Sequence, residues 1–124
     1  MASINEVAKQ FTDYYYNTFD TNRKGLQPVY REHSILTWEG QEFRGAENIF
    51  EKLESLPFQR VQHKVTTLDA QPSNPSINSL LVLVTGLLLV DDESNPMQFT
   101  QSFQLIPDGE SYWVYNDVFR LNYG

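Results

Sequence analysis

This 124-residue chain has few residues in the combinations and spacings that mark catalytic or metal sites. There is no cysteine, and the two histidines, His33 and His63, lie far apart in the sequence. This leaves no thiolate nucleophile and no ligand spacing typical of a metal site. A glycine-rich phosphate loop and a Gly-x-Ser-x-Gly turn are also missing from the sequence. We therefore expect no cofactor, no metal and no nucleotide hydrolysis.

His63 is the best candidate for acid–base catalysis. It alternates with valines on one face of a predicted strand and can point inwards. With Asp69, Asp117 or Tyr30 nearby, it could act as a general base. The simpler interpretation is a buried histidine hydrogen-bonded to a carboxylate or to a tyrosine hydroxyl. Both interpretations stay open at this point.

The charge of the chain is acidic and uneven. Sixteen acids against nine bases give a net charge of −7, and seven acids but no Lys or Arg lie between Val65 and Phe119. Such a surface repels nucleic acid. It either keeps the protein in solution or steers a basic partner towards it, and charge alone does not choose between these roles.

Composition and hydropathy indicate in which cellular compartment the protein is expected. The absence of cysteine suits a reducing environment, so we expect the cytosol or the nucleus. The N-terminus has neither the basic start and apolar run of a secretory signal nor the character of a transit peptide. The longest apolar stretch, residues 80–90, is shorter than the roughly 20 residues that cross a bilayer. We therefore expect no membrane partner.

The elements that position these residues begin with two helices. Ser3 and Glu6 have the spacing of a capping box, and a helix is predicted from there to about Asp20. Its apolar stripe has helical spacing and consists of Ile4, Val7, Ala8, Phe11, Tyr15 and Phe19. A second helix is predicted over residues 46–56, because Pro57 ends it. A weaker helical turn is expected around Leu26 and Val29.

The rest of the chain has the period of strands. Strands are predicted at residues 34–39, 41–44, from 60 onwards, 77–91, 97–106 and 112–119. Val61, His63, Val65 and Thr67 are expected on one face, Gly86 marks a bulge or bend, and residues 107–110 form a turn. Helices followed by a meander predict a single α+β domain, residues 1–124, with the helices on one face of a bent antiparallel sheet.

The predicted strand at residues 97–106 has two different faces. Phe99, Phe103 and Leu105 are expected to face the helices. The opposite face then has polar, uncharged side chains at Gln98, Thr100, Ser102 and Gln104. Such a face is either a dimer interface or an ordinary solvated surface.

Several longer motifs resemble a known family. They are residues 36–41 (LTWEGQ), 51–53 (EKL), 55–63 (SLPFQRVQH), 69–72 (DAQP), 105–109 (LIPDG) and 116–123 (NDVFRLNY). The chain resembles the nuclear transport factor 2 family over essentially its whole length, and the sequences of these motifs are most similar to those of fungal members. The resemblance implies a cone-shaped α+β fold with a strongly curved sheet, an apolar cavity and a homodimer formed through the sheet.

The resemblance also implies a partner and its site. Members of the family bind the GDP-bound form of the GTPase Ran and import it into the nucleus without catalysing a reaction. The acidic residues at the implied site are Glu39, Asp91 and Glu93, the last standing where vertebrate members have Asp. The implied cavity that receives an aromatic side chain of Ran consists of Trp38, Leu56, Phe58, Val61, Leu88, Val90, Val118 and Phe119.

A second implied site binds the Phe-x-Phe-Gly repeats of nucleoporins near the start of the first helix, at Ile4 and Val7. Vertebrate members have Trp in place of Ile4. The implied location is the cytoplasm and the nucleus, with concentration at nuclear pores. Two alternatives share this fold: a cavity enzyme like ketosteroid isomerase or scytalone dehydratase, and a peptide-binding scaffold domain.

Overall fold

The computed structural model describes residues 3–57, 59–91 and 95–122. The predicted site residues Phe58 and Glu93 lie outside these ranges. The elements, in chain order, are helix α1 (Ile4–Thr21), a 3-10 helix (Arg23–Val29), strands β1 (Tyr30–Trp38) and β2 (Gln41–Arg44), helix α2 (Ala46–Glu54), and strands β3 (Val61–Pro72), β4 (Leu80–Val90), β5 (Met97–Asp108) and β6 (Ser111–Asn122).

Helix α1 begins where the capping signal predicts. The Ser3 side chain accepts a hydrogen bond of 3.2 Å from the Glu6 amide. Along the predicted stripe, Tyr15 and Phe19 are buried, whereas Ile4 at the N-terminal end is 38% exposed. The buried side also includes Thr12 and Tyr16, which hydropathy alone does not identify because of their hydroxyl groups.

The six strands form one open sheet in the order β2-β1-β6-β5-β4-β3. Neighbouring strands are antiparallel except β1 and β6, which are parallel. Helix α1 packs against β3, and α2 packs against β1. The predicted α+β fold, with helices on a curved antiparallel sheet, is confirmed except for this one parallel pair.

The bulge near Gly86 lies on the neighbouring strand. Val65 pairs with Gly86 and Thr67 pairs with Thr85, so Thr66 is the extra residue and the bulge is in β3. The alternation holds through Val65, whose partner Gly86 lies on the interior face with Leu88, whereas Thr67 lies beyond the bulge and is exposed. The prediction that Thr67 shares a face with Val61 is therefore wrong. Gly86 itself is required because an added Cβ would collide with the Lys64 carbonyl oxygen and come within 2.9 Å of the Phe99 ring.

Four strand ends differ from their predicted positions by two residues or more. Strand β1 begins at Tyr30, four residues before the predicted start. Strand β4 begins at Leu80 because Ser73 and Ser79 close the preceding loop through a backbone bond of 3.0 Å and a hydroxyl bond of 2.8 Å. Strand β5 continues to Asp108, which pairs with Ser111 and leaves a tight turn between them. Strand β6 extends beyond Phe119 to Asn122, since its last residues still pair with β5.

The sheet separates an interior face from an open face. On β5, Phe99, Phe103 and Leu105 are fully buried under the helices, as predicted. The open face presents Leu81, Leu83 and Val118, each more than 40% exposed, beside the neutral polar residues of β5. No helix among the described residues is long and apolar enough to cross a membrane.

Candidate functional site

Residues of the implied cavity meet at one end of the sheet, which we call the mouth end. Trp38 pairs with Phe119 across the parallel β1–β6 pair. Val61 pairs with Val90 at the start of the β3–β4 ladder. Residues that are distant in sequence therefore lie on adjacent strands at the same end, as a shared site requires.

At the mouth end these side chains pack against one another. The mouth cluster, which we define as Trp38, Leu56, Val61, Leu88 and Phe119, consists of residues that are each at most 9% exposed. The Trp38 ring stacks on Phe119 with centroids 4.1 Å apart and an interplanar angle of 8°. Val90 packs against this core and is only partly buried. The cluster is thus a closed apolar layer.

Val118 does not belong to this cluster. It is 44% exposed, while its neighbours Asp117 and Phe119 are at most 1% exposed. Successive strand residues point to opposite faces, so Val118 lies on the open face. The prediction that it lines the same cavity as Phe119 is therefore wrong.

A small hollow opens beside the mouth cluster. It has a volume of about 240 Å³ and lies between the ends of α1 and α2. Its lining includes Phe19 and Val61, with the carboxylates of Asp20 and Glu54 among its polar groups. The lining also includes the cations Arg23 and Lys24, so the described surface nearest to the cluster is concave and carries charges of both signs.

Two of the predicted acidic residues stand at the rim of the mouth end in an unusual backbone conformation. Glu39 has φ 51° and Asp91 has φ 52°, and no other non-glycine residue that the structure describes has a positive φ. This region disfavours L-residues and costs roughly 1 kcal/mol or more, and such strain concentrates at functional sites.

Each rim carboxylate is fixed by backbone groups. Glu39 occupies the tight turn between β1 and β2, with its amide donating to the Phe119 carbonyl at 3.0 Å. One of its carboxylate oxygens accepts a hydrogen bond from the Leu121 amide. Asp91 follows β4 and accepts from the amides of Gln59 and Arg60 at 3.0 and 2.9 Å. Both negative charges are thus held at defined positions.

His63 has a partner that the sequence did not suggest. Its Nδ1 lies 2.7 Å from Asp20 Oδ1, and its backbone amide donates to Asp20 Oδ2 at 2.9 Å. The ring stacks on Tyr16 with centroids 4.6 Å apart. The interpretation of a buried histidine bonded to a carboxylate is therefore correct, and the partners considered for catalysis, Asp69, Asp117 and Tyr30, are not the ones it has.

A buried polar network centred on Asp117 lies in the interior. Tyr30 donates to Oδ2 and Gln101 donates to Oδ1, each at 2.7 Å. Tyr15 lies 2.6 Å from the Tyr30 hydroxyl, and Tyr16 donates to Gln101 at 2.8 Å. No buried polar side-chain atom in the described part of the chain lacks a partner.

Burial decides how this network titrates. It raises the pKa of Asp117 from the ordinary 3.8 to about 6, although the hydrogen bonds from Gln101, Tyr30 and Tyr15 lower it in part. Burial also raises the pKa of Tyr15, Tyr16 and Tyr30 well above the usual value of 10.0, so these hydroxyls stay protonated. One signal of this network is visible in the sequence, namely polar residues at the inward positions Gln101 of β5 and Asp117 of β6.

The opposite end of the molecule has a larger depression, which we call the apex groove. It has a volume of about 1270 Å³. Ile4 and Val7 of α1 line one side, and Ile77, Leu80 and Tyr112 lie among the residues of the other. Both residues predicted to bind nucleoporins are therefore in one groove.

Metal chemistry has no support in the described residues. Among residues 3–57, 59–91 and 95–122, no group of three or more His, Asp or Glu side chains is arranged to hold a metal ion. His33 lies beside Trp113 and Tyr115 in another depression, on the open side of the sheet.

Comparison with known proteins identifies the family. The family model for the nuclear transport factor 2 (NTF2) domain matches residues 7–121. Nuclear transport factor 2 of Emericella nidulans is 60% identical over 124 residues, covering 99% of this chain and 98% of that protein. The Saccharomyces cerevisiae protein of the same name is 57% identical over 120 residues, covering 97% and 95%.

A solved structure supports the same family assignment. Nuclear transport factor 2 from Cryptosporidium parvum superposes with a TM-score of 0.89 at 45% identity, covering 96% of this chain and 94% of that one. These relatives are transport factors rather than enzymes, which confirms the carrier prediction over the enzymatic alternative. A nuclear transport factor works between nucleus and cytoplasm, and this applies to the chain as well. On sequence and fold together, the chain belongs to the nuclear transport factor 2 family.

Proposed function

We propose that the chain, as one carrier domain over residues 1–124, imports the GDP-bound form of Ran by binding it at the mouth end. The observation that carries the proposal is the pair of strained rim carboxylates, Glu39 and Asp91, beside an apolar cluster. An apolar anchor point with a charged rim is the usual plan of a binding hot spot. A chain with a net charge of −7 also attracts a basic surface.

Because the mouth cluster is already packed, the binding of Ran requires its side chains to rearrange. Trp38 is only 9% exposed and stacks on Phe119. An aromatic side chain of Ran therefore enters only when the Trp38 ring turns away, and the small hollow beside Val61 gives the incoming ring its entry. The rim charges then pair with cations of Ran at a surface from which water is excluded, where ion pairs discriminate most strongly.

The direct test is a binding measurement with purified Ran. Titration calorimetry with Ran loaded with GDP should give a saturable interaction of one Ran per protomer. Ran loaded with a non-hydrolysable GTP analogue serves as the control and should not bind measurably. Equal affinity for the two nucleotide states would contradict a GDP-selective carrier.

For passage through pores, we propose that the apex groove binds Phe-x-Phe-Gly repeats, and that this concentrates the protein at nuclear pores. The groove has apolar side chains on both sides, among them Ile4, Val7 and Ile77. Ile4 and Ile77 are 38% and 47% exposed, so they are available to a phenylalanine ring. A shallow apolar groove gives weak and rapidly reversible binding, which suits a moving carrier.

Replacing Val7 by glutamate should weaken repeat binding by about tenfold or more, because it introduces an unpaired charge where a phenylalanine ring must be desolvated. Binding to a Phe-x-Phe-Gly peptide is measured by NMR titration. Val65→Glu, at an exposed position that does not line the groove, is the matched control and should bind normally. Equal loss in both variants would argue against this groove.

We also propose that two copies associate through the open face. Its neutral polar residues and the exposed Leu81, Leu83 and Val118 avoid like-charge contact between identical surfaces. Val118→Glu should raise the dimer dissociation constant by about a hundredfold, because it places two carboxylates in one symmetric interface. Sedimentation velocity over a concentration series measures this, with Val118→Leu as the control. A Val118→Glu protein that dimerises normally would exclude the open face.

A further inference from the structure

Asp91 makes three hydrogen bonds to the two residues that precede β3. Its Oδ1 accepts from the amides of Gln59 at 3.0 Å and Arg60 at 2.9 Å. Its own amide donates to the Arg60 carbonyl at 2.8 Å. We call these three bonds the Asp91 clasp. The carboxylate is therefore engaged with its own chain before any partner arrives.

The Asp91 clasp lies at the start of the β3–β4 ladder and holds the segment between Leu56 and Val61. The β3–β4 ladder begins with Val61 paired to Val90, and Asp91 is the next residue after Val90. The clasp thus extends the ladder by one backbone bond and two bonds to the Asp91 side chain. Leu56 precedes and Val61 follows the clasped residues, and both belong to the mouth cluster.

The backbone of Asp91 indicates that the clasp is under constraint. Its φ of 52° is in the left-handed region, which Asn, Asp and Gly tolerate better than other residues. Glu39, the other rim carboxylate, has the same features: a positive φ and a carboxylate oxygen bonded to the Leu121 amide. At both sites the residue that offers charge also ties two segments together.

We propose that Asp91 is a positioning residue for the mouth cluster in addition to being a rim charge. Oδ1 fixes Gln59 and Arg60, and through them it sets where Leu56 and Val61 meet the partner. The remaining carboxylate oxygen pairs with a cation of the partner. This inference rests on the proposed binding of Ran at the mouth end, and it assigns the two oxygens of one carboxylate to different tasks.

Two substitutions separate these tasks. Asp91→Asn keeps an acceptor oxygen and tolerates the left-handed backbone, so it removes the charge and retains the clasp. Asp91→Gly also tolerates this backbone but has no side-chain acceptor, so it removes the charge and the two side-chain bonds of the clasp while the backbone bond to Arg60 stays. Comparing the pair isolates the positioning effect at constant backbone compatibility.

Binding kinetics with GDP-bound Ran give the first readout. Loss of a rim charge lowers the association rate and the salt dependence. Asp91→Asn should therefore associate about tenfold more slowly at low salt, approach wild type at high salt, and dissociate at close to the wild-type rate. GDP-bound Ran should in addition dissociate from Asp91→Gly about tenfold faster than from Asp91→Asn. This difference should persist at high salt, since it arises from a poorly placed apolar surface.

Hydrogen exchange of the free protein gives the second readout. The Gln59 and Arg60 amides should exchange slowly in wild type and Asp91→Asn, and at least about tenfold faster in Asp91→Gly. Amides within β5 serve as an internal reference, so general destabilisation is recognised as such. Equal dissociation rates for the two variants at high salt, or unchanged exchange of both amides in Asp91→Gly, would overturn the positioning role. If wild type fails to bind Ran, the proposed function is lost, while the exchange rates still decide whether Asp91 holds this segment.

Discussion

Replacing Glu39 by lysine is expected to weaken the binding of GDP-bound Ran by about a hundredfold or more, while the protein stays folded. The substitution puts a cation where the partner is proposed to bring its own, so an attraction becomes a repulsion beside a desolvated contact. Folding should survive because Glu39 is in a surface turn, where only its bond to the Leu121 amide is lost. Calorimetry measures the affinity, and circular dichroism verifies the fold.

Glu39→Gln is the matched control for this experiment. The amide oxygen still accepts from Leu121, and only the charge is removed, so the loss of affinity should be smaller than for lysine. Binding by Glu39→Lys at the wild-type affinity would remove Glu39 from the interface. Equal losses for Glu39→Gln and Glu39→Lys would show that repulsion plays no part.

The second large effect concerns the dependence of stability on pH. Burial raises the pKa of Asp117 from 3.8 to about 6 in the folded protein. The folded state therefore binds this proton more tightly than the unfolded state does. The resulting stabilisation is fully present below pH 3.8 and is lost as the pH rises through about 6. Asp117 alone should make the protein about 3 kcal/mol less stable at pH 8 than at low pH.

Asp117→Asn should remove this dependence. An asparagine oxygen still accepts from Tyr30, and its amide can donate to Gln101 once the Gln101 amide flips and donates to Tyr16. Denaturant unfolding at pH 5, 6, 7 and 8 measures the free energy of unfolding of both proteins. The wild-type curve should fall with pH relative to the variant, and parallel curves would contradict a raised pKa at this residue.

Asp117→Ala is the useful contrast. It leaves the buried donors of Tyr30 and Gln101 without their acceptor, and each unsatisfied group costs about 1–3 kcal/mol of stability. We therefore expect this variant to be less stable than wild type at every pH. The comparison separates the need for an acceptor at this position from the effect of its charge.

Local signals in the sequence identified most of the elements. The capping pair Ser3 and Glu6 marked the start of α1, and Pro57 indicated a stop for the second helix, which ends at Glu54, two residues before the predicted end. Alternation along β5 predicted correctly that Phe99 and Phe103 face the helices. These signals depend on neighbours within a few residues, so they can be read without knowledge of the tertiary fold.

Long-range partners could not be found in this way. Asp20 and His63 meet across 43 positions, and neither residue type is specific enough to predict the pair. Inside β6, Asp117 is buried although acids usually lie at the surface, because three donors from other elements converge on it. Val118 was assigned to the cavity by resemblance, whereas the alternation of its own strand places it on the open face.

The order of the strands also has a consequence for biosynthesis. Strand β6, the last to be made, lies between β1 and β5 and is the sole link between β1 and the rest of the sheet. A nascent chain therefore cannot complete this sheet until β6 has left the ribosome. Until then, β1 and β5 both present unpaired edges, which are prone to aggregation. Contacts between residues so distant in sequence also slow folding, so we expect the complete sheet to form late in the folding of this chain.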